Sequence, residues 1–149
     1  MLFRSRVPIF VSRDWHLPST THFKDRGGVW PPHCVIGTRG ADFHPDLHLP
    51  AAAVIVSKGM GETEDAYSAF QARDDADKPL AALLEERDVK HLIVAGLATD
   101  YCVKSSAIDG LERGFRVTLV TEGMRAVNVQ PQDGQQALAE MRARGADVA

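Results

Sequence analysis

The amino-acid sequence predicts an α/β sandwich of three layers with a mostly parallel sheet. Four short apolar runs are rich in β-branched residues and do not alternate polar with apolar positions, which is typical of strands covered on both faces in a parallel sheet. These runs are Val7–Val11, Ala53–Val56, Leu92–Ala95 and Val117–Val120. Helical patterns lie between and after the runs, and such alternation of strands and helices is typical of the α/β class.

Three segments carry apolar residues at helical spacing. Pro79–Arg87 has a proline in its first turn, the next helix ends at Gly114, and Gln132–Arg144 is followed by Gly145. The apolar faces are expected to consist of Leu80, Leu83 and Leu84, then Val103, Ala107 and Leu111, then Ala137, Leu138 and Met141. Residues 146–148 predict a last edge strand.

Length and composition predict a single domain over residues 1–149 that can bury a core of its own. The net charge of -3 argues against nucleic acid as the main partner, and no apolar run is long enough to cross a bilayer. Met1–Phe10 contains arginines but lacks the apolar region of a signal peptide. Two cysteines, Cys34 and Cys102, predict free thiols in a reducing compartment, so we expect a cytoplasmic protein.

A cluster of metal-ligand side chains follows the first predicted strand. Asp14 and His16 leave the carboxyl end of that strand, the edge where open α/β sheets bind ligands, and their spacing points both side chains to one side. His33 comes from the following loop, and one carboxylate with several imidazoles suits Zn²⁺, Fe²⁺ or Mn²⁺. Histidines also often lie half-buried without binding a metal. We adopt that second interpretation for His44, His48 and His91, and both interpretations remain open for His22.

The third predicted strand, Leu92–Ala95, leads into Cys102. Thr99 or Asp100 is expected to cap the helix that follows, which would place Cys102 in the first turn, where the helix dipole favours thiolate. The alternative is a buried cysteine without a chemical role, as we expect for Cys34. Lys58 ends another strand at the same edge, and a lysine beside a thiol would lower the pKa of that thiol.

Several motifs occur together in one order. They are Arg-Asp-Trp-His (13–16), Trp-Pro-Pro-His-Cys-Val (30–35), Gly-Thr-Arg-Gly-Ala-Asp-Phe-His-Pro (37–45), Lys-Gly (58–59), Tyr-Ser-Ala-Phe (67–70) and Ala-Thr-Asp-Tyr-Cys-Val (98–103). On these motifs the chain resembles the nicotinamidases of the isochorismatase-like cysteine hydrolase superfamily. It is especially similar to the bacterial pyrazinamidase/nicotinamidase branch.

The resemblance implies that Cys102 attacks the carboxamide of nicotinamide, releases ammonia and forms a thioester that water hydrolyses to nicotinate. It implies that Lys58 belongs to the catalytic triad. The metal ligands that it implies are Asp14, His16 and His33, with His22 as a fourth. It also implies that Trp30 lines the pocket for the pyridine ring, and that Leu97, Ala98 and Tyr101 contact the substrate. A cis peptide at Leu97–Ala98 is implied to turn the amides of Ala98 and Cys102 into an oxyanion hole.

One part of the family pattern has no match in the sequence. The third catalytic residue of the family is an aspartate in an Asp-x-Gln motif at the end of a first strand, and no such motif precedes Val7. We therefore expect the first strand and helix of the family, roughly 30 residues, to be missing from the sequence. Three hypotheses follow: an active nicotinamidase of greater length, a catalytically impaired metal-binding remnant within an oligomer, and a superfamily amidase for another small amide.

Overall fold

The computed structural model describes residues 7–149, which form two compact units. The first unit runs to Asp65 and includes Ala72–Lys78, and the second consists of Ala66–Gln71 and Pro79–Ala149. The interpretation of Met1–Phe10 lies largely outside the described residues. The single domain over residues 1–149 stays a prediction.

The first unit contains a two-stranded parallel sheet of β1 (Phe10–Asp14) and β2 (Val54–Lys58). The register pairs Phe10 with Val54 and ends by pairing Asp14 with Lys58. The prediction of β1 over Val7–Val11 is wrong at both ends. Backbone pairing with β2 continues through the polar residues 12–14, whereas the apolar run reports only which side chains favour burial.

The second unit contains a three-stranded parallel sheet in the order β3-β4-β5. Its elements are α1 (Leu80–Glu85), β3 (His91–Leu97), a π-helical turn (Thr99–Val103), α2 (Lys104–Glu112), β4 (Arg116–Arg125), α3 (Asp133–Ala143) and β5 (Asp147–Val148). Parallel pairing in both sheets and the alternation of strands with helices confirm the predicted α/β class. The three predicted helices and the short last strand are also confirmed.

The core of the second unit lies between its sheet and its helices. The buried residues that form it are Val103, Ala107, Val117, Leu119, Met124, Met141 and Ala146. The buried leucines of α1 are those that the sequence predicted. Along β3, Leu92 and Val94 pack against this core, whereas Ile93 and Leu97 are 65% and 72% exposed. The expectation that every strand is covered on both faces is therefore wrong for β3, because the core contacts only alternate residues of the strand.

Candidate metal centre and nucleophile turn

The ends of β1 and β2 place two charged side chains side by side. Asp14 and Lys58 are register partners, and the ammonium group of Lys58 donates a hydrogen bond to Oδ1 of Asp14. Lys58 is only 4% exposed, so it is not the solvated strand-end charge that a lysine in this place usually is. The backbone N–H of Trp15 donates to the carbonyl oxygen of Lys58 at 2.8 Å, which extends the pairing towards His16.

Three histidines converge directly beyond this strand end. One ring nitrogen from each of His16, His22 and His33 lies within 4.8 Å of the others. His16 and His22 are buried, and His33 is half-buried. The backbone of His16 is hydrogen-bonded to the loop that carries His33. Its N–H donates to the carbonyl oxygen of Cys34, and its carbonyl oxygen accepts from the N–H of Ile36. His22, for which the sequence leaves both interpretations open, lies in this group of converging rings.

Each of the three imidazoles has its Nδ1 next to an oxygen acceptor. Nδ1 lies 3.1 Å from the carbonyl oxygen of Gly59 in His16, 2.6 Å from Oδ1 of Asp65 in His22, and 2.8 Å from the carbonyl oxygen of Pro31 in His33. Carbonyl and carboxylate oxygens only accept hydrogen bonds, so Nδ1 is the donor in each ring. A neutral imidazole that donates through Nδ1 carries its lone pair on Nε2, which is the state that binds a metal ion.

The environment of His16 favours the same uncharged state. Burial lowers the pKa of His16 below its ordinary value, and this effect outweighs the opposing charge of Asp14. An unprotonated imidazole is required for metal coordination. His16 can therefore bind a divalent metal ion without first losing a proton at neutral pH.

Glycine and aromatic residues enclose the histidines. A Cβ atom at Gly59 would lie 2.5 Å from Nδ1 of His16, and Gly59 has a φ of +71°, so both space and backbone require glycine there. Phe23 is buried, with its ring centroid 5.6 Å from those of His16 and His33. Trp30 is the residue predicted to line the pocket for the pyridine ring. The centroid of its ring lies 6.3 Å from that of His22 and 6.1 Å from that of His33.

The remaining predicted ligands and histidines lie elsewhere. Asp14 is not part of the group of converging donors among the described residues, and its carboxylate contacts Lys58 instead. Its role as a metal ligand stays a prediction. His91 contacts Thr118 and Arg116, and neither it nor His44, His48 or Cys34 belongs to a metal-binding group in the described part of the chain. Cys34 is half-buried rather than buried.

In the second unit, Cys102 lies on a π-helical turn between β3 and α2. The predicted cis peptide at Leu97–Ala98 is present and precedes this turn. Cys102 is half-buried, and its carbonyl oxygen accepts a hydrogen bond from Oγ of Ser106 at 2.6 Å. Because the same Oγ accepts from the N–H of Ala69, Ser106 joins the turn to residues 69–71.

The prediction that Thr99 or Asp100 caps this helix is wrong. No side chain caps the turn, and both carboxylate oxygens of Asp100 instead accept backbone N–H groups, from Val127 at 2.9 Å and Asn128 at 2.8 Å. Asp100 is buried, so it anchors the turn that carries Cys102 to the segment after β4.

The neighbouring residue Tyr101 has a raised pKa. Partial burial is the main cause, the charge of Asp100 adds to the effect, and both keep the phenol uncharged.

Sequence reasoning missed three features of these sites: the packing of Gly59 against His16, the contact of Asp65 with His22, and the anchoring role of Asp100. The contacts of Gly59 and Asp65 join segments 43 residues apart in the sequence, so no local pattern shows them. The glycine after the buried lysine was visible as a motif but not as a packing requirement. The carboxylate of Asp100 was visible as a potential cap, which is a local role, whereas its actual partners lie 27 and 28 residues away.

Comparison with known proteins gives a consistent result. The isochorismatase domain matches residues 3–149 of the chain. The chain is 40% identical to the nicotinamidase of Escherichia coli strain K12 over 94% of its own length and 73% of that protein. Among solved structures it is similar to the pyrazinamidase of Pyrococcus horikoshii in complex with zinc, with a TM-score of 0.85, 39% identity and coverage of 96% of this chain and 75% of that one. It is also similar to PnC1 from L. infantum in complex with nicotinate, with a TM-score of 0.83, 34% identity and coverage of 94% and 70%.

Proposed function

The chain belongs to the isochorismatase family, and from this premise we propose that it is a metal-dependent cysteine amidohydrolase that converts nicotinamide to nicotinate and ammonia. The observation that carries the proposal is the convergence of His16, His22 and His33 with every Nδ1 held by an oxygen acceptor. A nicotinamidase and a zinc-bound pyrazinamidase among the similar proteins support the substrate class and the metal.

We assign His16, His22 and His33 as metal ligands, with Asp14 as a further candidate. Three imidazoles leave an open position on a tetrahedral zinc ion, which suits a catalytic rather than a structural site. Asp14 is close enough to His16 for its charge to act on the pKa of that ring, which supports its place at the site. The bound ion would supply a Lewis-acid contact that orients the pyridine ring. Trp30 is proposed to line the pocket for this ring.

The covalent step is assigned to Cys102. Its sulfur forms a bond to the carboxamide carbon, the carbon–nitrogen bond breaks, and the nitrogen takes up the proton of the thiol and leaves as ammonia. Water then cleaves the resulting thioester to give nicotinate and restores the thiol, so no oxidant or reductant is needed. The amides of Ala98 and Cys102 are proposed to stabilise the oxyanion, with Leu97 and Tyr101 as neighbours of the substrate. Lys58, which is buried and bonded to Asp14, is proposed to stabilise negative charge during the step.

Ammonia release from nicotinamide by the purified, zinc-loaded protein tests this proposal. Cys102→Ala should reduce the rate to background, whereas Cys34→Ala, which removes the other thiol, should leave it close to the wild-type rate. A thioester intermediate should appear as a mass increase of one nicotinoyl group after rapid quenching of the wild-type protein.

The same assay separates the alternative hypotheses. A catalytically impaired remnant would bind zinc but release ammonia no faster than Cys102→Ala. An amidase for another small amide would hydrolyse that amide while nicotinamide fails to compete with it. Either result would contradict the proposed activity.

A further inference from the structure

Asp65 makes a short contact with one of the three converging histidines. Its Oδ1 lies 2.6 Å from Nδ1 of His22, a distance typical of a strong, charge-assisted hydrogen bond. The corresponding acceptors for His16 and His33 are backbone carbonyls at 3.1 Å and 2.8 Å. Among the three histidines, His22 is the one whose Nδ1 is bonded to a side chain rather than to a backbone carbonyl.

The burial of the two partners differs greatly. The side chain of His22 is 3% exposed, whereas that of Asp65 is 67% exposed. The carboxylate therefore retains much of its hydration while one oxygen reaches the buried ring. This arrangement avoids the large desolvation cost of a fully buried ion.

The segment that carries Asp65 is fixed to the segment that carries His22. The carbonyl oxygen of Glu62 accepts three hydrogen bonds, from the N–H of Thr21 at 2.7 Å and from the hydroxyl groups of Thr20 and Thr21 at 3.1 Å and 3.0 Å. The side chain of Glu62 also accepts from Oγ of Ser19 at 2.9 Å. These bonds hold residues 62–65 beside residues 19–22, so the carboxylate of Asp65 is positioned before any ion binds.

We propose that Asp65 is a positioning residue that fixes the tautomer and ring orientation of His22 for metal binding. This inference rests on the proposed metal site. Asp65 is not one of the converging donors among the described residues, so it acts through His22 and not as a ligand. Carboxylates that orient a metal-binding imidazole in this way typically contribute about 10–100-fold to metal affinity.

The test is zinc affinity, measured at one pH by competition with a chromophoric chelator. Asp65→Asn should weaken zinc binding by about 10–100-fold, and Asp65→Glu should restore part of the loss. Glu64→Gln is the matched control, because it removes one negative charge from the same exposed segment without touching His22. It should change the affinity by no more than about threefold if orientation rather than charge is the cause.

A double-mutant comparison makes the test specific to His22. In a His22→Ala background, Asp65→Asn should cause no further loss of zinc affinity, because the ring that it positions is gone. Wild-type affinity in Asp65→Asn, or an equal loss with and without His22, would overturn the positioning role. Failure of the wild-type protein itself to bind zinc would instead overturn the metal site of the proposed function, and this inference with it.

Discussion

The backbone of Gly59 packs so closely against the ring of His16 that a Cβ atom at position 59 would lie 2.5 Å from Nδ1. The carbonyl oxygen of the same glycine accepts the hydrogen bond from that nitrogen. One residue therefore sets both the space and the orientation of a predicted metal ligand. This explains why glycine follows the buried Lys58.

Gly59→Ala should weaken zinc binding and reduce stability. The added methyl group would displace the ring of His16, and alanine at a φ of +71° adds a backbone cost of about 1 kcal/mol. Gly37→Ala is a matched control, since Gly37 has a φ of +76° but nothing within 4 Å of its Cβ position. Both variants should lose stability in urea unfolding, but only Gly59→Ala should lose zinc affinity. Equal zinc affinity in the two variants would contradict the packing argument.

Asp100→Ala should destabilise the second unit by about 2–4 kcal/mol. The substitution removes the acceptor of two backbone N–H groups, those of Val127 and Asn128, and each of these part-buried hydrogen bonds to a carboxylate contributes about 1–2 kcal/mol. Chemical denaturation measures the change. Asp147→Ala removes an exposed carboxylate and should stay within about 0.5 kcal/mol of the wild-type stability. A loss no larger than that of the control would show that Asp100 does not anchor the turn.

The stability of the metal-free protein should fall as the pH is lowered below about 6.5. Histidine in an unfolded chain titrates near this value, and burial lowers the pKa of His16 in the folded state. Between the two values the unfolded chain binds a proton that the folded protein does not, so the contribution of His16 is complete above pH 6.5 and declines with acidification. The slope from one such group is at most about 1.4 kcal/mol per pH unit.

Urea unfolding of the metal-free protein at several pH values checks this prediction. In His16→Gln the free energy of unfolding should fall less steeply with decreasing pH than in the wild type. His44→Gln, at an exposed position, should leave this pH dependence unchanged. A decline of equal slope in wild type and His16→Gln would mean that other groups cause the acid sensitivity.

Local sequence patterns predicted the elements of this fold better than their contacts. Apolar periodicity located the helices because it reports which faces are buried, as Leu80, Leu83 and Leu84 show. The same periodicity predicted the wrong ends for β1, because the ends of a strand depend on backbone pairing with a distant partner, here Asp14 with Lys58.

In the candidate site, too, local patterns predicted the functional residues better than the contacts that orient them. The residue types of Asp14, His16 and His33 and the spacing of Asp14 and His16 predicted a metal centre, and of these three residues only the two histidines belong to the converging group. Cys102 lies at the predicted strand-to-helix turn. The partners that orient these groups come from elsewhere in the chain, as with Asp65 for His22 and Val127 for Asp100. Such roles follow from tertiary structure and have no local signature.

Removal of the metal tests the central claim most directly. The protein is dialysed against a strong chelator, and ammonia release from nicotinamide is compared before dialysis, after it, and after one equivalent of Zn²⁺ is restored. We predict a loss of at least about 10²-fold in the metal-free protein, because the substrate ring is no longer held in place, and recovery with zinc. A metal-free protein that keeps its full rate would contradict the assignment of His16, His22 and His33 to nicotinamide hydrolysis.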